Sequence, residues 1–214
     1  MTNVTIFGGT GYAGSHIARE AVKRGHAVVS YSRKPPDEPI NGVRYVTGTI
    51  LSDADRRAAL DGAGVVVVAL SPRGDMATQM RAGVAALAED VAGVGVRLGV
   101  VGGAGSLLVA DGGPQLVSTP DFPAEVRDEA ITMGEILEDL RGTPDELDWF
   151  FISPPANFGS FVSVESRGRY RVGGDVLLVD ENGQSEISGE DFAVAFVDEI
   201  EQPKHHRTRF TVGY

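Results

Sequence analysis

Short apolar runs alternate with segments of helical periodicity along most of the chain. The apolar runs predict strands at residues 4–7, 27–31, 43–50, 65–70, 98–101, 148–152 and 209–212. Helical spacing predicts helices after residue 11, at 53–60, from 76 to about 91, over 126–140 and at 190–200. The run 65–70 is apolar without interruption, which is typical of a central parallel strand buried on both faces. Strands separated by helices favour a parallel sheet wound with helices on both faces.

The C-terminal part of the chain departs from this alternation. Residues 170–172 and 176–179 flank Gly173-Gly174-Asp175 and predict a hairpin. No Pro/Ser-rich linker divides the chain, and its 214 residues are enough for one substantial core. The predicted fold is therefore a single α/β domain over residues 1–214, a doubly wound parallel sheet with a small C-terminal hairpin and helix extension.

A glycine-rich turn joins the first predicted strand to the first predicted helix. It reads Gly8-Gly9-Thr10-Gly11-Tyr12-Ala13-Gly14. In a nucleotide-binding βα unit, Gly8 would form the tight turn out of the strand, Gly11 would let the backbone approach a pyrophosphate, and Gly14 would let the helix pack on the sheet. The alternative is a purely structural turn. The order strand, glycine turn, helix favours an anionic ligand at the helix N-terminus.

The end of the second predicted strand indicates which dinucleotide is preferred. It carries Ser32, Arg33 and Lys34, and the nearest acid, Asp37, lies beyond two prolines. A carboxylate at this position would bind a ribose diol, whereas an arginine accommodates a 2′-phosphate. We therefore expect NADP(H), with NAD(H) as the weaker ligand. The alternative is a solvated basic pair.

Charge and composition exclude several classes of function. The formal net charge is −11 and no Lys/Arg stripe occurs, which disfavours a nucleic acid or an anionic membrane as partner. The chain has no cysteine, and its four histidines show no metal-ligand spacing, so no metal site is expected. The first residues form neither a basic leader nor a membrane span, and the expected location is the cytoplasm.

Several further motifs accompany the glycine turn. They are Arg33, Val101-Gly102-Gly103-Ala104-Gly105-Ser106, Thr119-Pro120-Asp121-Phe122-Pro123, Ser153-Pro154-Pro155 and Arg209-Phe210-Thr211-Val212. With these motifs the chain resembles, over essentially its full length, the NAD(P)H-binding, NmrA-like branch of the atypical short-chain dehydrogenases/reductases. The resemblance implies a Rossmann fold, NADP(H) as cofactor and a small-molecule acceptor, with residues from about 153 to 214 on the acceptor side. It is compatible with a monomer or a homodimer.

The resemblance also implies a set of cofactor-binding positions. They are Gly8, Thr10, Gly11, Tyr12, Gly14, Ser32, Arg33, Lys34, Leu70, Ser71, Gly102, Gly103, Ala104 and Pro155. Active relatives commonly use a tyrosine and a lysine four residues later for proton transfer, but Arg127 and Ile131 occupy those positions here. Ser106 is the remaining candidate catalytic hydroxyl, with turn capping as its alternative role. Relatives often carry an aspartate near the adenine, where this chain has Gly48-Thr49.

Three functions follow from these expectations. The first is an NADPH-dependent reductase that transfers hydride to an electron-poor flavin, quinone or carbonyl compound, because such acceptors need little help from a positioned acid. The second is a non-catalytic NADP(H)-binding redox sensor of the NmrA type. The third, a sugar-nucleotide epimerase or dehydratase, is disfavoured because it needs the missing proton-transfer pair.

Overall fold

Eight strands and five helices alternate along residues 1–214 of the computed structural model. The strands are β1 (Asn3–Phe7), β2 (Ala27–Ser32), β3 (Val43–Thr47), β4 (Val65–Val68), β5 (Arg97–Val101), β6 (Trp149–Ser153), β7 (Arg171–Gly173) and β8 (Thr208–Gly213). The helices are α1 (Tyr12–Lys23), α2 (Asp53–Leu60), α3 (Met80–Val91), α4 (Arg127–Arg141) and α5 (Gly189–Glu201). Most of the predicted elements are present, with their bounds shifted by a few residues.

One sheet contains all eight strands in the order β3-β2-β1-β4-β5-β6-β8-β7. All neighbouring strands are parallel except β7 and β8. The chain builds outward from β1 to β3, then crosses back to β4 on the other side of β1. This reversal between β1 and β4 opens a crevice at the carboxyl ends of the strands, where open α/β sheets bind ligands.

The four valines of β4 show why the sheet is covered on both faces. Val66 and Val68 belong to a core of 22 buried residues shared with α3 and α4, whereas Val65 and Val67 belong to a core of 21 shared with α1 and α5. Successive side chains of a strand point to opposite faces, so an unbroken apolar run needs two cores. The predicted doubly wound α/β fold is confirmed.

The predicted C-terminal hairpin is wrong. β7 pairs antiparallel with β8, from Arg171 opposite Gly213 to Gly173 opposite Thr211. Residues 176–179 form no strand with β7. Instead Val176 makes a single bridge to Leu108, and Leu177 N–H donates to the carbonyl of Leu108 at 2.8 Å. The turn Gly173-Gly174-Asp175 therefore directs the chain toward the loop after β5 instead of closing a hairpin.

The helix N-termini differ in a way that matters for the site. Ser52 and Ser188 cap α2 and α5 by accepting a hydrogen bond from the N–H of Asp55 and Asp191, respectively. α1, α3 and α4 begin without a side-chain cap, and at α1 the N-cap residue is Gly11, which has no side chain at all. None of the five helices combines the length and the hydropathy needed to cross a membrane.

Candidate functional site

A cavity of about 910 Å³ lies at the carboxyl edge of the sheet, around the crevice between β1 and β4. Its walls come from the loops that follow β1 to β6. Twelve of the fourteen predicted cofactor-binding positions line it: Gly8, Thr10, Gly11, Tyr12, Ser32, Arg33, Leu70, Ser71, Gly102, Gly103, Ala104 and Pro155. Gly14, Lys34 and the predicted catalytic residue Ser106 do not. The volume is near the upper end for ligand sites, roughly 300–1,000 Å³.

Three of the four glycines in the turn, Gly8, Gly11 and Gly14, have different surroundings. Gly8 has a φ of +91°, and a Cβ there would lie 2.8 Å from the carbonyl carbon of Ala69. A Cβ at Gly14 would lie 2.8 Å from the carbonyl carbon of Gly8. At Gly11 the nearest atom would be the oxygen of Gly8, at 3.4 Å. Gly8 and Gly14 therefore pack backbone against backbone, while Gly11 borders open space in the cavity.

The N-terminus of α1 faces this open space. Gly11 is extended, with φ −79° and ψ 174°, and the first turn contains no acidic residue. The N–H groups of Tyr12 and Ala13 have no intrahelical acceptor, because the first four N–H groups of a helix never do. These donors, with the positive end of the helix dipole, fit the pyrophosphate of a dinucleotide.

Gly14→Ala tests the packing role of that glycine. We expect the variant to lose about 1–3 kcal/mol of unfolding free energy, since the new methyl group would overlap the backbone of Gly8. Urea denaturation followed by circular dichroism measures the loss. Gly174→Ala is the matched control, because no atom lies within 4 Å of its Cβ position. Equal stabilities of the two variants would contradict the packing role.

Arg33 lines the cavity after β2 and already has a carboxylate partner. Its Nη1 is 3.1 Å from Oδ2 of Asp75, and both side chains are largely exposed. Such exposed ion pairs contribute about 0–1 kcal/mol, so the guanidinium remains available to an anionic ligand. Ser32 donates its hydroxyl to the carbonyl of Lys34 at 2.6 Å, which fixes the turn after β2.

A carboxylate that the sequence analysis did not consider supports the same end of the cavity. Gly48, Thr49 and Ile50 line the wall, and Asp55 of α2 accepts a hydrogen bond from the N–H of Thr49 at 2.9 Å. A Cβ at Gly48 would lie 3.0 Å from this carboxylate. The spacing Ser52-x-x-Asp55, typical of a helix start, is the only sequence signal of this contact. Asp55 thus stabilises the backbone of the wall from behind.

At the other end of the cavity, the glycines after β5 allow close packing. A Cβ at Gly102 would overlap the ring of Phe151, and one at Gly105 would lie 2.7 Å from Cβ of Ala130 on α4. A Cβ at Gly103 would lie 3.2 Å from Cβ of Met133. This loop therefore lies directly on β6 and α4, with its backbone along the cavity wall.

Arg127 and Ile131, which occupy the positions of the missing tyrosine and lysine, have other surroundings and contacts. Arg127 donates its Nη groups to the carbonyls of Val117 and Phe122, and thereby fastens the loop before α4. Ile131 is 44% exposed. Tyr12 and Tyr31 are the tyrosines that line the cavity. Burial is the main cause that raises the pKa of Tyr12 above 10, so it stays protonated at neutral pH.

The structure places Ser106 next to the cavity loop but outside the lining residues. Its Oγ accepts a hydrogen bond from Nη1 of Arg209 at 3.3 Å. Arg209 is almost fully buried and also pairs with Asp175, while its Nη1 lies 3.4 Å from the hydroxyl of Ser153. The hydroxyl of Ser106 therefore belongs to an ion-pair cluster between β6 and β8, and its catalytic role stays a prediction.

The segment between β4 and α3 crosses the mouth of the cavity and is fastened on both sides. Arg73 pairs with Glu129 of α4, and Asp75 pairs with Arg33 after β2. Ser71, Pro72, Arg73 and Met76 line the cavity. Two ion pairs between distant parts of the sequence therefore connect this segment to α4 and to the turn after β2.

The histidines each lie close to a carboxylate. His26 Nε2 is 2.9 Å from Glu201, His205 Nδ1 is 2.7 Å from Glu199, His206 Nδ1 is 3.0 Å from Asp148, and His16 Nδ1 is 4.0 Å from Glu190. No cluster of three or more histidine or acidic side chains is arranged to hold a metal ion. Each histidine thus has its own carboxylate neighbour, and no two of them share one.

The glycine turn, the uncapped helix and the position of the cavity define a dinucleotide-binding protein of the Rossmann class. A family model described as NAD(P)H-binding matches residues 8–203. The chain therefore belongs to this NAD(P)H-binding family, which confirms the sequence-derived resemblance at that level.

Proteins of several bacteria are similar to this chain in sequence or in structure. YwnB of Bacillus subtilis (strain 168), an uncharacterised protein, is 35% identical over 210 residues, which cover 98% of this chain and 97% of YwnB. A Streptococcus pneumoniae TIGR4 structure, provisionally named an NADH-flavin reductase, has a TM-score of 0.89 and 29% identity, covering 100% and 99% of the two chains. A Burkholderia pseudomallei structure, provisionally named an exported protein, has a TM-score of 0.87 and 40% identity with full coverage of both chains.

Proposed function

We propose that this protein is an NADPH-dependent reductase of a small, electron-poor acceptor such as a flavin, a quinone or a carbonyl compound. The reduced nicotinamide supplies a hydride, which carries two electrons, and becomes the oxidised ring. The acceptor takes up this hydride together with one proton from solvent. The similar Streptococcus pneumoniae protein, named as an NADH-flavin reductase, supports a reductase with such an acceptor.

The observation that carries the proposal is the contrast between the two ends of one cavity. At the adenosine end, the glycine turn and Arg33 fit a dinucleotide phosphate group. At the other end, no tyrosine or lysine from the loops after β5 and β6 lines the cavity, and neither do Arg127 and Ile131, which align with the proton-transfer pair of relatives. Quinones and flavins are reduced to products that solvent can protonate, so this site suits them better than an alcohol or sugar substrate.

The proposed reaction is tested by following NADPH absorbance with FMN, menadione and simple carbonyl compounds as acceptors. We expect turnover with the flavin or the quinone, and little with unactivated carbonyls. The Gly11→Val variant is the control for contaminating reductases, because it should lose all cofactor-dependent turnover. Activity that persists in this variant, or no activity with any acceptor, would contradict the proposal.

A redox sensor is the second candidate function, and the lack of a positioned proton donor favours it. A sensor needs the dinucleotide site but no acceptor site. It would bind NADPH and NADP+ with different affinities and oxidise NADPH with none of the acceptors. The assay described above therefore separates the two functions. A monomeric or homodimeric state and a cytoplasmic location stay predictions.

The Ser106→Ala variant tests the remaining catalytic candidate. We expect kcat/KM for NADPH oxidation to change by less than about twofold, because the hydroxyl bonds to Arg209 and does not line the cavity. A loss of one hydrogen bond in the transition state would instead lower kcat/KM by about tenfold. Steady-state kinetics on the variant decide between these roles, and a tenfold loss would assign Ser106 to the acceptor.

A further inference from the structure

The cavity extends beyond the part that fits the dinucleotide, on the side of β5 and β6. The glycine turn after β1 and Arg33 after β2 hold the adenosine and pyrophosphate half. Loops that follow β5 and β6 lie on the opposite side of the crevice, where the strand order places the nicotinamide half. Residues 116–133 and 154–161 therefore border the space that an acceptor would enter.

Aromatic side chains form much of this border. Phe122, Phe158 and Phe161 line the cavity. Phe158 is fixed by its neighbours, with ring centres 4.5 Å from Phe192 and 5.3 Å from Tyr12. Phe161 is 74% exposed, so its ring is accessible to a ligand that enters the cavity. Its ring lies against Gly159, whose φ of +151° is open to glycine alone.

The charges on the same border are mainly negative. Asp121 and Glu125 are exposed, line the cavity and form no ion pair, whereas Glu129 is neutralised by Arg73. Arg127 is a further cation next to this border, with its guanidinium 5.5 Å from the ring centre of Phe122 and bonded to backbone carbonyls. The rim therefore keeps a net negative charge beside an aromatic wall.

We propose that this half of the cavity binds a planar aromatic acceptor without a phosphate group, such as riboflavin or a quinone, and discriminates against phosphorylated flavins. The proposal rests on the reductase function proposed above. The phenylalanines provide apolar contact and stacking for the ring system. In the bound flavin, a phosphate on the ribityl chain would extend to the exposed rim of the cavity, where the carboxylates of Asp121 and Glu125 repel it. Riboflavin lacks that charge and avoids the repulsion.

Riboflavin and FMN differ only in the phosphate, so they form a matched pair of probes. Binding to the protein saturated with NADP+ is measured by quenching of flavin fluorescence. We expect the Kd of FMN to be about tenfold higher than that of riboflavin at low ionic strength, and the ratio to fall toward two at about 0.5 M salt, because salt screens exposed charges. In Asp121→Asn/Glu125→Gln, the ratio should approach one while riboflavin binding is unchanged.

The control Asp111→Asn/Glu146→Gln removes the same two charges elsewhere. Both residues are exposed, unpaired and outside the cavity lining, so the parent ratio should persist. Equal Kd values for the two flavins in the parent would overturn the proposal, as would no binding of either flavin or an equal change in both double variants. NADPH oxidation with riboflavin as acceptor is measured in a separate assay. If the protein binds riboflavin more tightly than FMN but does not oxidise NADPH, the proposed ligand class stands and the proposed reductase function is refuted.

Discussion

The Gly11→Val variant is expected to bind NADPH at least a hundredfold more weakly than the parent while keeping its fold. A Cβ at Gly11 meets no atom closer than 3.4 Å, and its backbone is in the ordinary extended region. The Cβ of the valine therefore makes only ordinary van der Waals contacts, and we expect the isopropyl group to fit the folded chain. It fills the space in front of the first turn of α1, where the pyrophosphate must contact the free N–H groups.

Isothermal titration with NADPH measures the loss of binding, and urea denaturation measures the unfolding free energy. Gly174→Val is the matched control, since its Cβ position is open and lies outside the cavity lining. Unchanged NADPH binding by Gly11→Val would mean that the phosphate site lies elsewhere. A large loss of stability would mean that the turn does not tolerate a side chain.

Arg33→Ala is expected to weaken NADPH binding by about tenfold to a hundredfold and to leave NADH binding nearly unchanged. A charge-assisted hydrogen bond contributes about 1.5–3 kcal/mol, which corresponds to this range. NADH lacks the 2′-phosphate that the guanidinium would contact. Parallel titrations of both dinucleotides against the parent and the variant measure the effect. Equal losses of affinity for both cofactors would indicate that Arg33 is a solvated surface residue that does not contact the 2′-phosphate.

Two further variants make the Arg33 test specific. Arg169→Ala removes an exposed arginine outside the cavity and should change neither affinity. Asp75→Asn removes the carboxylate that pairs with Arg33. Because the pair is exposed and weak, NADPH affinity should rise by no more than about threefold, with NADH unaffected. Weaker NADPH binding by Asp75→Asn would show that Asp75 positions Arg33 instead of competing for it.

The fold was predictable to the extent that its elements have a local signature. The uninterrupted valines of β4 and the helical spacing in α4 report burial directly. The hairpin prediction was wrong because an alternating sequence pattern indicates that a segment is extended, but it does not indicate the strand with which that segment pairs. Arg171 pairs with Gly213, 42 residues along the chain, and Val176 pairs with Leu108, 68 residues back. Neither pairing has a local signal.

The candidate site also combines features that have a local sequence signature with features that depend on distant residues. The glycine turn and Arg33 are local motifs, and both line the cavity. The partners that fix the site come from far along the chain, such as Asp75 for Arg33 and Glu129 for Arg73. Ser106 shows the same limit, because the direction of its hydroxyl depends on Arg209, 103 residues away.

The antiparallel pair β7–β8 also affects how this protein meets its own copies. An exposed edge strand can template pairing with another chain, and β7 ends the sheet after only three residues. On this edge, Nη2 of Arg171 donates hydrogen bonds to the carbonyls of Val179 and Tyr214. A second chain would gain few backbone hydrogen bonds here. Continuation of the sheet across this edge is therefore a poor route to both fibrils and dimers.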